Sequence, residues 1–158
     1  MDSRWQTQKK LNYSELNYYI DKKLQFRQHI SNLCKKVSRQ LGVLNRLKKL
    51  IPQDAKIKLY NSFLLSHLQY CSIIWHNCLK QDTDKLEEIN KRALRVVYDD
   101  YHSTYNELLK KAGRTTLFSR RIQNIAIIIY KSVNNIAPQC VTELVKPKIS
   151  RYELRDNN

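Results

Sequence analysis

A mostly α fold, a single helical domain of about five helices with irregular N- and C-terminal ends, is what this 158-residue chain predicts. Three observations carry that reading. Only 2 Gly and 3 Pro are present, too few for a turn-rich β protein. Long stretches repeat their apolar residues at the helical period. Hydrophobic residues make up 42% of a chain long enough to bury one core. The expected order is an N-terminal segment over 1–22, a helical domain over 23–145 and a basic tail over 146–158.

The N-terminal segment does not read as helix. "LNYYID" has the composition of a short strand, but no hairpin partner is evident beside it. From Phe26 to Leu50 the period is clear: Phe26, Ile30, Leu33, Val37, Leu41 and Leu44 share a face when advanced by about 100° per residue. Lys35, Arg39 and Arg46 fall on the opposite face, with Lys49 beside them. Pro52 interrupts this helix and can open the next. That next helix is expected from about Gln53 through "FLLSHLQYCSIIW", a run apolar almost all round and therefore buried, with Trp75 inaccessible. "DTDKLEEINKRALRVV" suggests a capping box at Asp84 and Glu87, followed by a buried stripe of Leu86, Ile89, Ala93 and Val97. Thr104 and Glu107 repeat the cap, and Gly113 suits the position just past the helix end. The last long helix should bury Phe118, Ile122, Ile125, Ile129 and Val133, with Pro138 closing it.

Charge narrows the function. The chain has 29 Lys+Arg against 14 Asp+Glu, a formal net charge of +15. Such an excess favours a polyanionic partner, nucleic acid ahead of an acidic membrane surface. No secretory signal is visible, and the longest apolar run, "IAIIIY", is far too short to span a bilayer. An intracellular protein with reduced thiols at Cys34, Cys71, Cys78 and Cys140 is expected, nuclear and cytoplasmic locations being indistinguishable. Nothing in the sequence sets an oligomeric state.

Two stretches invite catalytic or metal readings. "HLQYCSIIWHNC" puts two His and two Cys within twelve residues. On a continuous helix His67, Cys71, Ile74 and Cys78 would share a face while His76 points away, and no paired C-x-x-C knuckle exists, so the cysteines are expected as core filler and no metal is expected. "VVYDDYH" pairs Asp99 with Asp100. Two-metal polymerases carry such aspartates on a strand turn with a further carboxylate from another strand. Here they follow a helical stripe, so a turn between helices is expected. No Gly-rich phosphate loop or nucleophile–base pair appears, and no catalytic residue or cofactor is expected.

Four stretches, in order, are similar to one family. "IDKKLQFRQHI" matches a "KLxFxxHI" motif through Asp21, Lys23, Leu24, Phe26, His29 and Ile30. "LYNSFLLSHLQYCSIIW" matches a pattern of Leu-Tyr, a later Leu, Tyr-Cys and Trp through Leu59, Tyr60, Leu68, Tyr70, Cys71 and Trp75. "KLEEINKRALR" carries Arg92, Ala93 and Arg95, with Asn90 where Gln is frequent. "RYELR" supplies Tyr152, Leu154 and Arg155. Together, from Tyr18 onward, they resemble the segment after the palm in reverse transcriptases of non-LTR (LINE-type) retrotransposons, Jockey-like groups above all.

The resemblance implies an isolated thumb and post-thumb region without the upstream palm carboxylates, hence no polymerase activity. It implies a module that grips RNA–DNA or duplex nucleic acid through the backbone, which needs cations and no base reading. Lys35, Arg39, Arg46 and Lys49 are the expected contacts, with Arg114, Arg120 and Arg121 adding to them. The alternative is a helical structural or protein-interaction module, or a transposon-derived fragment with no selected function.

Overall fold

The computed structural model describes residues 24–145 and the backbone of two strands, β1 (Lys9–Tyr13) and β2 (Leu16–Ile20). Residues 146–158, with Tyr152, Leu154 and Arg155 of the tail motif, lie outside the described residues, as do Asp21 and Lys23. The two strands pair antiparallel, Lys9 opposite Ile20 and Tyr13 opposite Leu16. "LNYYI" is therefore a strand as expected, but it has the hairpin partner that the sequence did not reveal. "KKLNY" holds only two apolar residues and too little alternation to signal a strand.

The remainder is helical: α1 (Arg27–Leu47), α2 (Gln53–Leu59), a π-helical segment (Tyr60–Leu65), α3 (Ser66–Gln69), α4 (Lys80–Tyr98), α5 (Tyr105–Lys111), α6 (Leu117–Val133) and α7 (Gln139–Thr142). The chain divides into two compact units, Met1–Arg121 and Ile122–Asn158.

In the first unit α1 packs on α4. Ile30, Val37, Leu41 and Leu44 of α1 meet Leu86, Ile89, Ala93 and Val97 of α4 in one core, with Phe26 beneath the start of α1 and Leu33 half-buried against it. Both stripes are those the period marks. Phe26 holds a left-handed backbone (φ 57°) at the N-cap, and its carbonyl accepts from Ile30 N at 2.9 Å to close the first turn. Such a conformation is strained for a bulky residue and is held here by burial of the ring. Pro52 occupies the N-cap of α2, where its missing N–H deprives the helix of nothing.

Three expectations are corrected. The helix through the apolar run ends at Gln69, not beyond Trp75. Tyr70 turns extended, Cys71 adopts φ 46°, and turns follow to Asn77. This reversal carries Trp75 into the core at 0% exposure, its indole Nε1 donating to Tyr70 O at 3.3 Å, while Ile73 and Ile74 stay exposed. An apolar run shows that something is buried there, but not where the chain reverses.

The start of α4 is corrected next: it lies at Lys80, with Leu79 at the N-cap, so Asp84 sits inside the helix and forms no capping box with Glu87. The last correction concerns α6. Leu117 and Arg121 are buried, whereas Phe118, Ile122, Ile129 and Val133 are exposed and Ile125 is half-buried. A periodic stripe identifies an apolar face without saying what covers it. The helix also ends at Val133 by itself, and Pro138 opens α7 instead of closing α6.

The cap of α5 is as expected. Thr104 and Glu107 form a reciprocal capping box. Gly113 takes φ 61° beyond the helix end, where its N–H reaches Lys110 O at 3.0 Å and Arg114 N–H reaches Leu109 O at 2.9 Å, a Schellman pair.

Candidate nucleic-acid interface

Burial of Val37, Leu41 and Leu44 fixes the rotation of α1 and turns the opposite face outward. Lys35, Arg39, Arg46 and Lys49 lie there, all exposed. Lys35, Arg39 and Arg46 have no ion-pair partner among the described residues. From Lys35 to Arg46 the rise is about 16 Å at 1.5 Å per residue. Lys48, one step round, is committed instead: its Nζ lies 3.0 Å from Asp99 Oδ1 and 2.9 Å from the Tyr101 hydroxyl.

Lys35 and Arg39 also form one wall of a groove of about 750 Å³ between α1 and α4. The other wall brings in Lys85 and Arg92, which the sequence reading missed, along with Asp84 and Glu88. No local pattern links α1 to α4, so only their packing could reveal this. Lys85 is tied to the buried Asp82 at 2.7 Å, leaving Arg92 as the unpaired cation on that side.

Arg114, Arg120 and Arg121 do not join this face, and the last two lie inside α6, not ahead of it. Arg114 donates to Asn61 Oδ1 at 2.7 Å and lies over the Tyr60 ring at 5.9 Å. Arg120 Nε and Nη1 lie 3.2 and 3.1 Å from the Gln69 carbonyl oxygen, with that amide turned toward the guanidinium. Arg121 is 2% exposed, and burial lowers the affinity of its guanidinium for its proton. A buried group cannot meet a phosphate backbone, so Arg121 leaves the set of expected contacts.

Behind the interface runs a polar chain that no local motif announces. The Tyr60 hydroxyl donates to Asn90 Oδ1 at 2.7 Å. Asn90 Nδ2 donates to the Tyr105 hydroxyl at 2.8 Å, and that hydroxyl donates to Glu87 Oε2 at 2.5 Å. Glu87 in turn accepts from the backbone of Phe118 at 2.8 Å and Leu117 at 3.3 Å, so it caps α6 across thirty positions of sequence. Burial pushes the Tyr60 phenol up to about 12. Tyr105 is raised further, by burial first and then by its bond to the Glu87 carboxylate.

The Asp99–Asp100 pair lies in the expected turn. Asp99 (φ 51°) ends α4, and Asp100 N reaches back to Arg95 O at 3.1 Å. Asp100 accepts from Ser103 Oγ at 2.6 Å, from Ser103 N at 3.0 Å and from Lys111 Nζ. The lysine first and the serine next hold its carboxyl well below the usual carboxylate range. Both aspartates are spoken for by lysines, Asp99 by Lys48.

The His/Cys stretch is not a helix face. Cys71 is exposed, His67 and Cys78 are half-buried, and Cys34 packs at the core edge with its thiol pushed up by burial. The expectation of core filler therefore fails for Cys71 and, in α7, for the exposed Cys140. Among the described residues no group of three or more His, Cys, Asp and Glu is arranged to hold a metal ion, and no helix is long and apolar enough to cross a membrane. No protein-family model matches the chain, and no curated protein or solved structure matches it.

Proposed function

We propose that this chain is a non-catalytic, thumb-like module of a non-LTR retrotransposon reverse transcriptase that binds RNA–DNA or duplex nucleic acid through the phosphate backbone. The observation that supports it is the row of unpaired cations, Lys35, Arg39 and Arg46, on the solvent face of α1. At about 3.4 Å per phosphate along one strand, a row about 16 Å long follows roughly five phosphates. Cations on a helix face meet phosphates in any sequence, so binding has little base preference. Titrating labelled duplex and RNA–DNA hybrid at increasing potassium chloride tests the reading. Affinity falls steeply with salt and varies little with sequence if it holds, and absence of binding at low salt removes it.

A second reading, a protein-interaction module, is favoured by one observation: Ile122, Ile129, Tyr130 and Val133 of α6 are exposed. A partner held there is insensitive to salt and is lost on Ile129→Asp.

A further inference from the structure

Arg121 is a buried cation with no carboxylate partner among the described residues. Its Nη2 donates to Thr83 Oγ1 at 3.3 Å, and its Nε and Nη1 have no hydrogen-bond partner. Two rings take the faces of the guanidinium, Trp75 at 5.1 Å and Phe118 at 5.7 Å. The carboxylate whose charge acts on it, Glu87, is already engaged by Tyr105 and by the first N–H groups of α6. A buried charge left unpaired is strongly unfavourable, and aromatic faces offset only part of that.

Phe118 is the wall between this guanidinium and a pocket of about 580 Å³, a size that suits a small molecule. The pocket is lined by Phe118, His76, Thr83 and Tyr105, among others. His76 stacks on Phe118 at 5.6 Å, and its Nδ1 is also buried without a partner. Phe118 is 47% exposed, so its side chain has room to swing.

We infer that the pocket behind Phe118 binds a small monocarboxylate with an apolar body, the carboxylate pairing with Arg121 and the body lying against Phe118 and Tyr105. The aromatic sandwich leaves the guanidinium open only within its own plane, the direction in which a planar carboxylate forms paired hydrogen bonds. Glu87 and Asp84 line the same pocket. Their charge disfavours a dianion, which selects a carboxylate over phosphate. The inference is independent of nucleic-acid binding, since none of Lys35, Arg39 and Arg46 takes part.

Thermal unfolding of the full chain with millimolar sodium benzoate tests this, with sodium chloride at equal ionic strength, the uncharged benzamide, and sodium phosphate as the other arms. Benzoate raises the melting temperature by several degrees, and benzamide and phosphate do not exceed chloride. Arg121→Met loses the benzoate shift, yet in chloride melts no lower than the parent, because an apolar side chain replaces an unpaired buried charge. Arg121→Lys keeps the charge but not the planar fork, and loses the shift as well. On the unmutated chain, the Arg121 Nε–H resonance moves with benzoate in a saturable way. No benzoate shift, an equal shift with phosphate or in Arg121→Met, or failure of Arg121→Met to fold in chloride each overturns the inference, the last by showing that Arg121 is already satisfied within the protein.

Discussion

Tyr105 donates its hydroxyl proton to Glu87 at 2.5 Å while accepting from Asn90 at 2.8 Å, which couples α4, α5 and the first turn of α6 through one oxygen. Tyr105→Phe leaves Asn90 Nδ2 without its acceptor in a buried site and takes one donor from Glu87. The expected loss is about 1–3 kcal/mol in chemical denaturation. Tyr60→Phe strands Asn90 Oδ1 in the same way, and the double variant loses less than the sum because both act on one amide. Strict additivity contradicts the network. Because both phenols stay protonated above the ordinary value of 10.0, ionisation in the unfolded chain lowers stability as the pH rises past about 10.

Cys71 reacts early and matters little to stability. It is exposed and sits at φ 46°, so Cys71→Ser changes stability by less than about 0.5 kcal/mol. Thiol labelling under native conditions should modify Cys71 and Cys140 first and Cys34, half-buried with its thiol pushed up, last. Protection of Cys71 equal to that of Cys34 would restore the continuous buried helix that the sequence suggested.

Trp75 should be shielded. In a Trp5→Phe background it is the sole indole of the two in the chain. At 0% exposure its emission is blue-shifted and resists acrylamide until the chain unfolds. Ready quenching in the native state would mean that the turns after Gln69 do not bring it into the core.

Asp100 ties acid stability to the α4–α5 turn. Its folded value lies below the ordinary 3.8, so its contribution is complete above about pH 4 and is lost as the pH falls from there toward the folded value. Asp100→Asn should remove that acid-limb dependence and lower stability near neutrality, with little further loss at low pH. An unchanged acid limb contradicts the role given to Lys111 and Ser103.

What the sequence made legible were the elements with one covered face. On α1 and α4 the apolar period names the residues that meet, and the cations of α1 follow by rotation. The Thr104 cap and Gly113 were legible because their chemistry is local. Three features were not. The run around Tyr70 is apolar on all sides and contains no breaker, so the reversal at Cys71 leaves no trace in composition. Glu87 follows Asp84 at the spacing of a capping box, yet its partners are Tyr105, Leu117 and Phe118, set by tertiary packing. The isoleucines of α6 have the period of a core stripe, but period cannot tell a covered face from an exposed one.

The most direct test of the central claim is the salt dependence of nucleic-acid affinity in the parent chain and in Lys35→Gln/Arg39→Gln/Arg46→Gln. The parent should show a log–log slope of roughly −3 to −5, as for four or five neutralised phosphates. The triple variant should keep its circular dichroism and flatten the slope by about 2–3 units. A variant that folds and retains the parent slope would show that the α1 stripe is an ordinary solvated face, contradicting the account.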